Sequence, residues 1–360
     1  MLLFWTPDDP IPRGGSKQIY RHVELLSEAG IEARVLHERP GFVCEWFHHD
    51  APLAYLGEGF LRRTRRQGGA LLPRLKPKPD LQLVEGREVQ LSGGDGTFSS
   101  YTLGPQDVIV LPEYLGALLA EAELELPLVI FNQNVHGTFR GYGYGEDVPR
   151  TVYSQPNVLG AIVVSDHNQR YLSYVFEDLD VYRVVNGVDA SLFCPPVGAK
   201  RRQIAFMPRK QARQLEQLLN ILRTRGALDG WELVCIDGLD EPQVARALRD
   251  AFVFLSTCHQ EGFGLPPVEA GMAACLVAGY TGIAADEYFQ DGLAERVPQD
   301  DVLAFAQAVE RTLAWIDADE SAALARGRAF SDFLTERYSL DREAESVLTV
   351  WRALLAKHQG

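Results

Sequence analysis

Long apolar runs are missing from this chain. No stretch approaches the roughly 20 residues that a helix needs to cross a bilayer, so a membrane-spanning helix is not expected. Cysteine is scarce as well. The five that occur (Cys44, Cys194, Cys235, Cys258, Cys275) are odd in number and scattered, without a CxxC pair or a Cys/His cluster, which argues against a disulfide framework and against a zinc site. Positive charge is short too: 35 Lys and Arg against 49 Asp and Glu leave a formal charge of -14, a poor match to a nucleic-acid backbone, and no nucleic-acid partner is expected. The first residues, MLLFWTPDDP, lack the basic segment of a secretory signal and reach Asp8 and Asp9 at once, so a cytoplasmic protein is expected. No short internal repeat is visible, which sets solenoids and propellers aside.

What is present is enough apolar material for more than one core. At 360 residues and 46% apolar, the chain fits about two domains. The pattern along it is strand then helix, twice over. MLLFW reads as a strand, SKQIYRHVELLSEAG as a helix stopped at Gly30, and IEARVLH as the next strand. After a less regular region, LQLVEGREVQLSGGDGTFSSYTL reads as a hairpin about Gly93 to Gly96. QDVIVLPEYLGALLAEAELELPLVIFNQN then reads as strand, helix and strand, and GAIVVSDHNQRYLSYVF as a strand and a helix with Ser165 as its N-cap. VYRVVNGVDASLFCPP closes this half with a turn at Asn186-Gly187. The second half restarts with RQIAFMP, KQARQLEQLLNILRTRG, WELVCID, EPQVARALRD and AFVFLS, and later brings the strand AERVP and the helix DVLAFAQAVERTLAWI. Strands this apolar, alternating with helices, predict parallel sheets covered on both faces, with ligands at the carboxyl ends of the strands.

One such strand end carries EGFGLPPVEAGMAAC, from Glu261 to Cys275. The pair Pro266-Pro267 forbids a helix running through but suits a helix beginning there. That reading puts Glu261 on the loop after AFVFLS and Glu269 in the first helical turn. The plain alternatives are a solvated loop acid and an acid favoured by the helix dipole, but Leu265 and Pro266 offer no capping side chain. Facing this loop, IAFMPRKQARQ supplies Arg209, Lys210 and Arg213 at the opening of the next helix, where the dipole disfavours cations and a bound anion would explain them.

Glu261 to Glu269 resembles the E-x7-E motif of retaining glycosyltransferases of the GT-B fold, particularly family four. VVSDHNQRYL followed by VVNGVDASLFCPP is similar to that family's serine-led helix and its NGVD segment, and Gly14-Gly15 to its N-terminal glycine pair. The resemblance implies an α/β GT-B architecture, two doubly wound Rossmann-like domains facing a central cleft. An acceptor-binding domain would cover 1–187, a nucleotide-sugar donor domain 188–338, and a C-terminal helix, 339–360, would pack back on the first domain. It implies retaining, metal-independent transfer of a sugar from a nucleotide donor to an acceptor hydroxyl on a glycan, a lipid-linked sugar or a small molecule, with no cofactor. Under it Glu269 holds the ribose, Glu261 the donor sugar, the backbone of Gly262, Phe263, Gly264 and Leu265 the sugar and phosphate, and Arg209 with Lys210 the diphosphate. The family separates its Arg and Lys by several residues. Here they are adjacent, and Arg213 is the reserve. His136, in VIFNQNVHGTFRGYGYG, would touch the reaction centre, a role that Asn132, Gln133 or Asn134 could fill instead. Gly14 and Gly15 would approach the donor. Thr281-Gly282 stands where the family has paired glycines, with Glu287 downstream.

Two rival functions share the fold: a nucleotide-sugar 2-epimerase, and an inactive partner subunit of a glycosyltransferase complex. Asp178-Leu-Asp180 has the form of a metal-binding D-x-D but lies away from the expected cleft, so no metal site is assigned to it. The basic segment 62–78, with Arg62, Arg63, Arg65, Arg66, Arg74, Lys76 and Lys78, reads as a solvated loop or as a peripheral contact with an anionic membrane surface.

Overall fold

The computed structural model describes residues 1–8, 14–56, 82–93, 96–120, 123–145 and 149–359. The basic segment 62–78 therefore lies outside the described residues. The chain forms two compact units: residues 1–164, 168–184 and 346–360 make the first, and 165–167 with 185–345 the second.

Among the described residues the first unit has eleven strands: β1 (Leu2–Trp5), β2 (Ala33–His37), β3 (Leu53–Tyr55), β4 (Gln82–Leu83), β5 (Glu88–Ser92), β6 (Phe98–Thr102), β7 (Val108–Pro112), β8 (Glu123–Leu124), β9 (Leu128–Asn132), β10 (Val158–Val163) and β11 (Val181–Arg183). Nine of them form one sheet in the order β11-β10-β9-β7-β1-β2-β3-β5-β6. The pairs from β11 to β3 are parallel, and the β5–β6 hairpin is added antiparallel. The central strands are apolar throughout because both faces are covered, and Leu3, Ile109, Leu111, Leu128 and Ile130 lie in the core. Helix α1 (Gly14–Glu28) buries Ile19, Tyr20, Val23 and Leu26, spaced for one helical face. It ends where Gly30, at φ 77, lets the Ile31 N–H return to the Leu26 carbonyl at 2.9 Å.

Between β7 and β9 the sequence predicts a helix; among the described residues a 3-10 turn (Glu113–Leu115) and a four-residue helix, α2 (Ala117–Ala120), form there. The interruption is at Gly116. Its φ is 49, and a Cβ there would stand 2.0 Å from the Arg140 carbonyl oxygen, which accepts the Ala117 N–H at 2.9 Å.

The second unit carries a five-stranded parallel sheet, β13-β12-β14-β15-β16, from β12 (Arg201–Phe206), β13 (Glu232–Cys235), β14 (Ala251–Glu261), β15 (Leu276–Ile283) and β16 (Glu295–Arg296). Around it lie α4 (Ala212–Thr224), α5 (Glu241–Asp250), α6 (Leu265–Met272), α7 (Val302–Ala318) and α8 (Glu320–Arg337). Asp240 and Gln243 form a capping box at the start of α5. Helices α3 (Asp166–Val175) and α9 (Leu340–Gln359) contribute residues to both units. In the first unit Trp351 of α9 lies against Phe4, with ring centroids 5.2 Å apart.

The expected turn at Asn186-Gly187 is absent. That segment is extended and lies along Tyr338–Glu343: the Gly187 N–H donates to the buried Glu343 carboxylate at 3.1 Å, and the Val188 N–H to the Tyr338 carbonyl at 2.8 Å. Glycine is required there for space, since a Cβ would meet Glu343 Cβ at 2.9 Å. Asp180 of the D-x-D segment pairs with Lys357 at 2.5 Å.

Candidate active site

In the second unit the carboxyl ends of β12, β14 and β15 gather most of the residues singled out by the sequence. β14 runs farther than expected. It continues past Ser256 to Glu261, so Glu261 ends a strand and is not on a loop. Two buried hydroxyl residues extend it: Ser256 Oγ donates to the Tyr280 carbonyl at 2.7 Å, and Thr257 Oγ1 to the Lys210 carbonyl at 3.3 Å. The pairing with β15 slips between Cys258 and Glu261, where Gln260 takes a left-handed φ of 49. Beside it Gly282 has φ 58, and a Cβ there would stand 3.0 Å from Glu261 Cγ. Next comes Ile283 at φ 75, a conformation unusual for a β-branched residue. Backbone strain of this kind collects at functional strand ends.

The Glu261 carboxylate accepts from Lys210 Nζ at 2.6 Å, with the lysine side chain 42% exposed and the glutamate 15%. Arg209 and Lys210 lie on a turn closed by Gln211 at φ 54; α4 begins only at Ala212, so the two cations precede the helix and do not open it. Arg213 lies on the first turn of α4 and is exposed.

After Glu261 the chain folds under itself. Phe263 is buried edge-on against Tyr288 and Tyr338, with centroids 5.5 and 5.1 Å away. The Tyr288 hydroxyl lies 3.1 and 2.6 Å from the carbonyl oxygens of Phe263 and Gly264, and burial holds its ionisation well above the ordinary tyrosine range. Gly264 has φ 87, and a Cβ would come within 2.8 Å of that hydroxyl, so both conformation and space demand glycine. Helix α6 then starts at Leu265. Of the four N–H groups that a helix start leaves unbonded, Pro266 and Pro267 remove two, and Gly264 and Leu265 keep theirs. Glu269 is the fifth residue of α6 and half-buried. It therefore stands one turn deeper than the first-turn position expected for it. Burial, with the Glu261 charge beside it, pushes the Cys258 thiol up to about 12, leaving it unreactive under the loop. Glu287 accepts the Asp166 N–H at 2.9 Å and the Tyr338 hydroxyl at 3.0 Å, which gives the start of α3 a carboxylate partner.

In the first unit the carboxyl ends of β1, β7 and β9 bring together Gly15, Glu113 and the segment Gln133–His136. Gly14 and Gly15 form the first turn of α1 and do not precede it. Gln133 Nε2 donates to the Gly15 carbonyl at 2.9 Å. His136 is exposed on the 3-10 turn Val135–Gly137, where the Asn134 side chain accepts its N–H at 3.1 Å. Asn132 is fully buried and donates to Thr138 Oγ1 at 3.0 Å and to the Tyr153 hydroxyl at 2.8 Å. Glu113 is the residue that sequence reasoning missed. It is 7% exposed, and burial raises its carboxyl to about 7 although backbone N–H groups of Gln133 and Asn134 donate to it. The available signal was an acid directly after a wholly apolar strand, VIVLP. Among the described residues no group of three or more His, Cys, Asp or Glu side chains is arranged to hold a metal ion.

No family model matches the chain. An alpha-1,6-glucosyltransferase of Actinobacillus pleuropneumoniae serotype 7 (strain AP76) is 26% identical over 218 residues, which is 57% of this chain and 62% of that relative's length. The match thus spans less than two thirds of the relative. Among solved structures, sucrose-phosphate synthase from Thermosynechococcus elongatus is 15% identical, with 99% of each chain covered and a TM-score of 0.64. S. aureus TarM, solved with Fondaparinux, alpha-GlcNAc-glycerol and UDP, is 10% identical over 98% of this chain and 99% of its own, also at 0.64. Anabaena HepE, solved with UDP and glucose, is 12% identical over 98% of this chain and 99% of its own, at 0.61. At these identities what is shared is the architecture, and the chain has the α/β GT-B fold, with Rossmann-like sheets in both units.

Proposed function

We propose that the chain is a retaining glycosyltransferase of the family-four type, moving a sugar from a nucleoside-diphosphate donor to an acceptor hydroxyl without a required metal ion. The observation that carries this reading is the Lys210–Glu261 pair at 2.6 Å on the end of β14, directly before the Gly262–Leu265 backbone. The likeness to a glucosyltransferase, and the UDP in the complexes of two solved neighbours, support a nucleotide-sugar donor.

The chemistry asks for charge of both signs. As the glycosidic bond breaks, positive charge develops on the sugar and negative charge on the departing diphosphate. Arg209 and Lys210 offer the cations that the diphosphate needs, and the Gly264 and Leu265 N–H groups offer donors at a helix start. Glu261 accepts hydrogen bonds from donor-sugar hydroxyls and Glu269 from ribose hydroxyls. A half-exposed ion pair is worth about 1 kcal/mol or less, so Lys210 can exchange Glu261 for a diphosphate at little cost. The leaving diphosphate, held by these cations, takes the acceptor's proton in a front-face substitution. On the same reading Gly14, Gly15 and His136 of the first unit contact substrate.

The test is sugar release from a panel of nucleotide sugars, beginning with UDP-glucose, with and without added sugar acceptors and in the presence of a chelator. The expected result is acceptor-dependent turnover that survives chelation and is abolished in Glu261→Ala and in Arg209→Ala. Unchanged turnover in either variant overturns the assignment, and a free sugar epimer formed without acceptor favours the 2-epimerase.

A further inference from the structure

Glu113 has no part in the reading above, yet a chain of contacts in the first unit runs through it. Its Oε2 accepts the Gln133 N–H at 3.0 Å, and the following N–H, that of Asn134, also donates to it. From there the contacts divide. The Gln133 side chain donates to the Gly15 carbonyl at 2.9 Å, and the Asn134 side chain accepts the His136 N–H at 3.1 Å. The fit leaves little slack: a Cβ on Gly15 would stand 3.3 Å from the Gln133 side chain, and one on Gly137 3.1 Å from Glu113 Cγ.

We propose that Glu113 is a positioning residue which, through Gln133 and Asn134, sets the first turn of α1 and the His136 turn in register with one another, and that its ionisation loosens both. The catalytic meaning of that register rests on the proposed function, in which Gly14, Gly15 and His136 face the substrates.

The chemistry of the contact gives the direction. Two successive backbone N–H groups converging on one carboxylate make an anion-holding nest. An ionised carboxylate accepts from both, whereas a protonated one turns an O–H toward a donor. Burial outweighs these donors and moves the carboxyl to about 7, so the folded contact favours the neutral form and loosens as Glu113 ionises in the neutral range. The titratable side chains on the elements around it are His136, which is exposed, Tyr114 beside it, and Tyr153 on the 3-10 turn Val152–Ser154, kept protonated by burial. Arg140 enters the region through its backbone carbonyl on the Ala117 N–H.

Amide exchange read by mass spectrometry tests this in the full chain without any substrate. Peptides covering 14–20 and 132–138 are followed at pH about 6 and about 8, corrected for intrinsic exchange, in wild type, Glu113→Gln and Gln133→Ala. In wild type the 132–138 peptide should lose about tenfold protection at the higher pH, and Glu113→Gln should lose that pH dependence. Gln133→Ala keeps its backbone N–H, so it should retain the pH dependence of 132–138 while loosening 14–20. Wild-type protection without pH dependence, the same dependence surviving in Glu113→Gln, or an unchanged 14–20 peptide in Gln133→Ala each overturns the proposal. If UDP-glucose is turned over, Glu113→Gln should also flatten the limb of kcat/KM near pH 7. Absence of turnover in wild type would count against the proposed function and leave the exchange result standing.

Discussion

Lys210 and Glu261 hold each other at 2.6 Å on a strand end bent by Gln260 and Gly282, so the charge pattern of the second unit depends on a few individual side chains. If Lys210 stabilises charge on a leaving diphosphate, Lys210→Ala should lower kcat/KM by about 10²- to 10³-fold, the usual effect of removing one such donor. Steady-state kinetics on a nucleotide-sugar donor, with far-ultraviolet circular dichroism to show an intact fold, checks it. Glu113 predicts a pH effect on stability. Its folded value of about 7 stands above the ordinary 4.5, so its contribution is intact below about pH 4.5 and is lost as pH rises through 7. Relative to wild type, Glu113→Gln should therefore gain stability between those values, by on the order of 3 kcal/mol, read as denaturation midpoints across pH. The contrast between these residues shows what a sequence reveals. Glu261 and Glu269 bracket glycines and a proline pair, a spacing that stands out. Glu113 is a single acid after a strand and becomes notable only when Gln133 and Asn134, twenty residues on, fold back to it.

Among the elements, α8 was not legible and α6 was. The Gly264-Leu265-Pro266-Pro267 start marks α6 plainly. Helix α8 has Gly327 at its centre and a diffuse apolar face, and packing explains both. A Cβ on Gly327 would stand 2.6 Å from the Ala274 carbonyl, and one on Gly271 of α6 would stand 2.4 Å from Leu334 and 2.7 Å from Phe330. The two helices cross where each carries a glycine, so the residue that weakens the helix signal is the one that permits the contact. Gly327→Ala should destabilise by about 1–3 kcal/mol despite alanine's better helix propensity, because the obstructing atom is backbone and cannot move aside cheaply. Urea denaturation measures the difference, and a stabilised variant would show that the crossing is looser than described. The length of β14 was hidden for a different reason. Ser256 and Thr257 look like the start of a loop, but their hydroxyls bond to the Tyr280 and Lys210 carbonyls and carry the strand on to Glu261.

On the scale of the whole molecule, the alternation of apolar strands and helices made the two sheets readable, and the solved neighbours share that architecture over nearly the whole chain. Where the chain passes between units was harder to see. Helices α3 and α9 each contribute to both, and a continuous helical pattern contains no mark of a boundary. The second unit gathers Lys210, Glu261 and the Gly262–Leu265 backbone at the carboxyl end of its sheet, and on the proposed function that end binds the donor. Because a ligand that binds only the folded protein stabilises it, nucleotide binding can be read without knowing the acceptor. The most direct measurement is calorimetric titration of UDP and UDP-glucose into wild type and into the double variant Arg209→Ala, Lys210→Ala. The account predicts saturable binding to wild type with Kd between about 1 μM and 1 mM, weakened at least tenfold in the variant. Equal binding by both proteins, or no binding of these or any other nucleoside diphosphate to wild type, would contradict it.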